Sequence, residues 1–527
     1  MKIHQRYKRF IPKVVGITAA VIVAFGAIML QIPSTKAASL HKKYQFIDTN
    51  YSIPSSNVAW VAPNGNDATG NGSENSPYKT FAKALAVLPS GGTVVAKSGI
   101  YREPHFFVSK NNITLQAAPH AEVWLKGSDI VTNWTSDNGV WKTTGNYHNF
   151  CHVCTTNSDP GKEGAAAYPE QVFINDEPMQ QVATKAEVTP GSNTFYVEDK
   201  TPTTLKVPGD NSKGYNIGAQ DNITYYIGKN PAAGQVEISE RPRAFTATGQ
   251  NFTARGINVA QYASVQAWGF ADPVYGKDIS GPTAVSLNGN DSLVQNMIIT
   301  QNSNQGLFFN QAKASANGVK VIDNGGSGAG ANKAHDSVFE NSELHGNNAA
   351  GFITSGCGAY CTMADIKVAH TKNFIFRNNI LDNSNSGKVQ SAPTNVDNVG
   401  TINFWCDEGC IDTKIVNNFF TNSSLAIMYE VSGSAVIASN IIESSGTGIR
   451  VSGSEKVKLY NNTISRTYRP VYLFEDWRMN GCNAWNAAGV CTAKENWSVS
   501  QGLSWNTSGV EMYNNIISSR PLADSND

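Results

Sequence analysis

Asp407 and Glu430 lie in two segments that overlay when shifted by 23 residues: Thr-Ile-Asn-Phe-Trp-Cys-Asp-Glu-Gly-Cys at 401–410 and Leu-Ala-Ile-Met-Tyr-Glu-Val at 425–431. Both read as short strands. Period-2 alternation turns Ile402, Phe404 and Cys406 inward and Asn403, Trp405 and Asp407 outward. The second segment repeats the division, with Leu425, Ile427 and Tyr429 in and Ala426, Met428 and Glu430 out. If one coil of a solenoid takes about 22 to 23 residues, the two acids stand on neighbouring rungs of its outer surface, roughly 4.8 Å apart. Two carboxyl groups about 5 to 5.5 Å apart are what retaining glycoside hydrolysis needs, one attacking and the other serving as acid, then base. Like charges that close also push one pKa upward, so one group keeps its proton. The plain alternative is a pair of solvated acids on an exposed face.

Neighbouring residues fit the same chemistry. An outward Trp405 offers a platform for a sugar ring. Arg450 falls one rung above Met428, within reach of both carboxylates, as a salt-bridge partner or a substrate clamp. Glu475, Asp476 and Arg478, with the Trp between them, compose a sugar subsite or a capping loop at a coil end. His335 is a further candidate for substrate contact, and Glu408 adds an acid beside Asp407. No cofactor or metal is required, although Asp407, Glu408, Asp412 and Glu430 could gather calcium, with Arg450 as base, for a polysaccharide lyase or uronate epimerase. A surface protein that binds glycan without turnover is the third reading.

The elements that must position these residues are all-β. An asparagine before an apolar pair recurs at Asn296, Asn379, Asn418, Asn440, Asn462 and Asn515, with a looser copy at Asn341; two of the intervals are 22, and the longer ones are coils carrying loops. Such a column is a structural device, each side chain bonding its neighbour along the stack. Phe81, Leu85 and Leu88 within 77–88 have helical spacing and suit a cap on a solenoid end. Between 151 and 245 the coil repeat vanishes and alternating strands with Asn, Asp and Gly turns indicate an antiparallel insertion. The expected organisation is therefore 39–150 for the cap and first coils, 151–245 for the insertion, and 246–527 for the main solenoid with loop insertions that wall a groove.

Residues 1–38 carry a basic start and an apolar run over 14–32, read as a signal peptide or N-terminal membrane anchor with a cleavage site at Ala37. Either one places the body outside the cell. Eight cysteines form four local pairs, Cys151 with Cys154, Cys357 with Cys361, Cys406 with Cys410 and Cys482 with Cys491, expected as disulfides in an oxidising compartment. Zinc at the Cys-x-x-Cys pair is the rival reading there. With 41 basic and 41 acidic residues, the chain has no net charge to draw nucleic acid. A polysaccharide or oligosaccharide substrate and a monomeric state are expected.

The opening order of strand, Asn/Gly loop, Ser-Pro-Tyr-Lys-Thr-Phe helix (76–81) and Gly-Gly-Thr-Val…Gly-Ile-Tyr-Arg-Glu (91–103) resembles the start of secreted right-handed parallel β-helix proteins of the pectate-lyase-like superfamily. Glu-Gln-Val-Phe-Ile-Asn-Asp at 170–176 is similar to insertions of β-helix glycosidases. The pair Trp-x-Asp407 and Tyr-Glu430 resembles the catalytic pair of retaining β-helix glycosidases of the β-xylosidase kind. That likeness implies Asp407 as nucleophile and Glu430 as acid/base. Cys406, Glu408 and Cys410 depart from the pattern, and Glu408 competes for the nucleophile's role.

Overall fold

The computed structural model describes residues 38–148, 150, 168–199, 206–207, 210–214, 220–264, 283–351, 363–383 and 402–519. All of them belong to one compact unit, Ala37–Asp527. Residues 1–37 of the segment read as a signal or anchor, Ala37 among them, lie outside the described residues. So do four of the cysteines expected in disulfides: Cys151, Cys154, Cys357 and Cys361 all lie outside the described residues, and their two pairings remain expectations. Among those described, no helix is long and apolar enough to cross a membrane.

Three parallel sheets of twelve, ten and eleven strands run the length of the unit. The chain visits each sheet in turn, as in Thr93–Ala96, Gly99–Tyr101 and Phe106–Val108, and then begins the next coil at Thr114–Ala117. This is a parallel β-helix. Each coil can bury its apolar residues only against its neighbours, so equivalent positions stack into one continuous core. Within that core the rings of Phe339, Phe376 and Phe404 follow one another at 5.7 and 5.0 Å.

The asparagine column is built as expected from Asn379 to Asn515. Asn418 Oδ1 accepts from the backbone N–H of Asn379 at 2.9 Å and from its side-chain amide at 3.1 Å, and Asn440 does the same for Asn418. Each amide also donates to a backbone carbonyl, Asn418 Nδ2 to Phe376 O at 3.1 Å. Asn296 and Asn341 are corrections to the expectation. They belong to the adjoining column, where Asn296, Asn341, Asn378, Asn417, Asn461 and Asn514 take left-handed φ of 49 to 57° to turn the corner. Asn418→Ala removes an acceptor serving two donors and leaves the buried N–H of Asn379 unpaired. We expect a loss of roughly 2 to 4 kcal/mol, read as a lower urea midpoint, and an unchanged midpoint would refute the ladder's role.

The cap helix, Phe81–Val87, is shorter than the expected 77–88 because Thr80 caps it, its side chain accepting from Lys83 N. Glu103 accepts from the N–H groups of Phe81 and Ala82, while Lys110 Nζ bonds the carbonyls of Leu85 and Ala86 at the other end. A second short helix, Ala38–Tyr44, buries Leu40 and Tyr44 beside Trp124, Ile298 and Ile322.

The insertion opens at Ser128–Ile130 and closes at Val236–Ser239, earlier at both ends than 151–245. Its strands pair antiparallel except for Gln180–Gln181 beside Thr194–Glu198. The solenoid resumes around it without a break in register, Leu115 pairing with Ala254. Lys126 on a coil strand holds the insertion, its buried ammonium meeting Asp176 and Glu237 at 2.5 Å each.

Five consecutive strands of the ten-stranded sheet carry the site: β1 (Ala364–Ala369), β2 (Ile402–Asp407), β3 (Leu425–Glu430), β4 (Thr447–Ser452) and β5 (Arg469–Phe474). From the end of β5 the chain makes an excursion, 475–510, before rejoining the stack at Glu511–Tyr513.

Candidate active site

Strands β2 and β3 pair in the register Ile402↔Leu425, Phe404↔Ile427 and Cys406↔Tyr429, which sets Asp407 and Glu430 at the same strand end on neighbouring rungs. The alternation holds over the second half of each strand, where Phe404, Cys406, Ile427 and Tyr429 join the core. It fails at the entry. Ile402 and Leu425, expected inside, pack on the outer face with Ala364, Trp405 and Met428, whereas Ala426, expected outside, joins the core. Asn403 is fully buried too, its amide donating at 2.7 Å to the carboxylate of buried Asp365. The chain turns a corner there, and two successive residues of each strand face inward.

The residue after each acid turns the next corner in left-handed geometry: Glu408 at φ 51°, Val431 at 38° and, one rung on, Gly453 at 53°. For a β-branched residue such as Val431 this conformation is strained. It ends each strand at the acid, so the two carboxyl groups hold the same position in successive coils.

Both acids are buried, Asp407 at 7 % and Glu430 at 5 % exposure, where open outer-surface positions were expected. The solvated-face alternative is thereby excluded. Lys367, outward on β1, meets Asp407 Oδ2 at 2.9 Å. Arg478 reaches back from the excursion and spans the pair, 2.8 Å from Glu430 Oε1 and 3.6 Å from Asp407 Oδ1. Asp476 grips the same guanidinium through Nε and Nη2 at 3.0 Å each. Burial, and then the charge of Asp407, push the Glu430 carboxyl up to about 7, with Arg478 and Arg450 opposing. Desolvation therefore wins over the ion pair, and Glu430 holds a proton through mildly acid pH.

The other expected residues divide. Trp405 is not an open platform. It is buried among its apolar neighbours, Lys367 Nζ sits 3.7 Å from its ring centroid, and its Nε1 donates to Glu430 Oε2 at 3.2 Å. It positions the acid. Arg450 pairs with Met428 in register as expected, but reaches only Glu430, at 3.7 Å, with its guanidinium over Phe474. Glu475 faces solvent and accepts from Thr507 N at 2.9 Å, a brace for the excursion rather than a site group. His335 stacks on Trp497, ring centroids 4.9 Å apart, and so anchors the excursion too. Asp412 bonds the Ser434 hydroxyl. Among the described residues no group of three or more His, Cys, Asp or Glu is placed to hold a metal ion.

Glu408 lies near enough that burial and the charge of Asp407 push its carboxyl up, but its bonds go elsewhere. Asn483 donates to its Oε1 at 2.6 Å, and His370 Nε2 lies 3.6 Å from it and 3.4 Å from Glu495. Trp497 Nε1 donates to Gly409 O at 2.8 Å. Disulfides join Cys406 to Cys410 behind the site and Cys482 to Cys491 within the excursion, as the spacing implied. Lys367, His370, Asn483, Glu495 and Trp497 escaped sequence reading. Lys367 alone left a signal, one looped coil of 38 residues before Trp405; the others act by folding back, which no period records.

The family described as "Right handed beta helix region" matches residues 400–520. Among solved structures, a complex of XylC with xylose is 15 % identical with a TM-score of 0.62, covering 89 % of this chain and 76 % of that one. A glycoside hydrolase is 11 % identical with a TM-score of 0.47, covering 89 % of this chain and 98 % of that one. The pectate lyase Pel9A is 13 % identical with a TM-score of 0.39, covering 81 % and 80 %. A search of curated protein sequences finds no match. The chain thus has the right-handed parallel β-helix fold, as its opening motifs implied.

Proposed function

We propose that this protein is an extracellular, carbohydrate-active enzyme that hydrolyses glycosides with retention, Asp407 attacking the anomeric carbon and Glu430 acting as acid, then base. The observation that carries the reading is the unequal setting of two carboxyl groups one rung apart. Glu430 holds its proton to about pH 7, as an acid must, and Asp407 beside it is met by Lys367 at 2.9 Å. The fold shared with XylC, solved with xylose, agrees with a sugar substrate. The disulfides suit an oxidising, extracellular setting. The chain is taken to act as a monomer, without a cofactor.

Arg478 bridges the two carboxyl groups, so a glycoside bound between them must break those contacts. Proton NMR of the first product tests the reading: the same anomeric configuration as the substrate is expected, and the opposite one would exclude a covalent intermediate. A polysaccharide lyase or uronate epimerase is the second reading, favoured by the three cations Lys367, Arg450 and Arg478 around the acids, which would neutralise a substrate carboxylate in the place of calcium, since among the described residues no acidic group is set to hold that ion. Products absorbing in the near ultraviolet, or inversion at a ring carbon without cleavage, would select it instead.

A further inference from the structure

We infer that Trp477 is the stacking platform for the leaving group, so that the preferred substrates are those whose leaving group is itself a ring, as in an oligosaccharide. This rests on the hydrolase reading for the word "leaving" but not for the binding surface. With Trp405 buried, the site needs another apolar face for a sugar. The outward rings of β2 and β5 are already covered by cations: Lys367 over Trp405 at 3.7 Å, Arg469 over Tyr472 at 4.2 Å and Arg450 over Phe474 at 4.6 Å. Trp477 is 64 % exposed, and among the described residues no ring or cation packs on it. Leaving an indole in water is unfavourable, and a Trp face is a surface on which a sugar ring can lie.

Its place is fixed by its two neighbours in sequence. Asp476 is 6 % exposed and lies over the rung next to Glu430, since a Cβ built on Gly453 would come within 3.0 Å of its Cβ. Arg478 is bound to Glu430 and Asp407. Held between two residues that touch the site, the Trp477 backbone lies beside it, over the coil that follows Glu430. The acid protonates the departing oxygen, so the leaving group lies on its side of the bond. Ser452 continues the column one rung beyond Glu430, and Asp476 packs on the residue after it.

The test compares xylotriose or cellotriose, whichever the chain cleaves, with the glycosyl fluoride of the same sugar, whose leaving group has no ring. Trp477→Ala should lower kcat/KM for the trisaccharide roughly tenfold, the loss of one stacked ring, with the fluoride unchanged; Trp477→Phe should restore most of it. Equal losses on both substrates, or no loss on either, overturn the assignment. If neither trisaccharide is cleaved, calorimetric binding of the same trisaccharides judges the platform alone. Weaker binding by Trp477→Ala upholds it. Unchanged or absent binding, or an effect confined to self-association, overturns it.

Discussion

Asp407→Asn lowers turnover by roughly 10⁴-fold or more, because an amide cannot form and release the glycosyl ester that divides the reaction into two steps. The substitution keeps the shape of the side chain, so the circular dichroism spectrum should not change. Lys367 and Arg478 lose an anionic partner, and some stability goes with it. Asp407→Gly adds a sharper measurement. With azide supplied, the small anion takes the vacated place and gives a glycosyl azide of configuration opposite to the substrate. Wild-type turnover in Asp407→Asn, or an azide product of unchanged configuration, would move the nucleophile elsewhere. Glu408 is the obvious rival in sequence, but it is occupied by Asn483 and His370.

Glu430→Gln produces the second large effect, and its size depends on the leaving group. A glycoside with a poor leaving group, which must be protonated as the bond breaks, should slow by roughly 10² to 10⁴-fold. Release of an activated dinitrophenol should be slowed far less in the first step, with azide then accelerating turnover. The pH profile gives an independent check. Burial raises the Glu430 carboxyl from its ordinary 4.5 to about 7, so the proton required for catalysis is present below that value and lost above it. The wild-type rate should therefore fall as pH rises through about 7, and the Gln variant should lack that limb. The same shift bears on stability. The native carboxyl holds its proton more tightly than that of the unfolded chain, so its contribution is complete below about pH 4.5 and fades as pH climbs through about 7. A profile whose falling limb survives in Glu430→Gln would remove Glu430 as the acid.

Retaining a proton on a carboxyl beside Arg478 and Arg450 is a matter of which effect is larger. Two cations within 3.7 Å favour the anion, yet the group is nearly out of water and beside Asp407. Breaking the Arg478 contact by substrate entry removes one of those cations and leaves Glu430 better supplied with its proton at the moment it must give it up.

Much of the architecture was legible in the residues themselves. Asn418, Asn440 and Asn462, spaced 22 apart, revealed the coil length, because stacked rungs must repeat at the period that returns the chain to the same sheet. The same period brought Asp407 and Glu430 together, since a 23-residue shift aligns two strands whatever surrounds them. Corners were harder to read. Leu425 and Ala426 exchanged faces, and Asn296 and Asn341 moved one column over, because turn geometry depends on φ values that hydrophobic alternation does not encode.

Sequence alone thus determined the repeat, the strand content and which two acids meet, all of which follow from local periodicity and nearest-neighbour stacking. Only the tertiary structure decided their environment. Lys367 arrives across a looped coil, and Arg478, Asn483 and Trp497 arrive because the excursion after β5 folds back over earlier rungs. Contacts from the excursion, between residues about 50 to 90 positions apart, carry no periodic trace, and together with Lys367 they seal the acids from water, raise one pKa and cover Trp405, while Trp477 stays in the open.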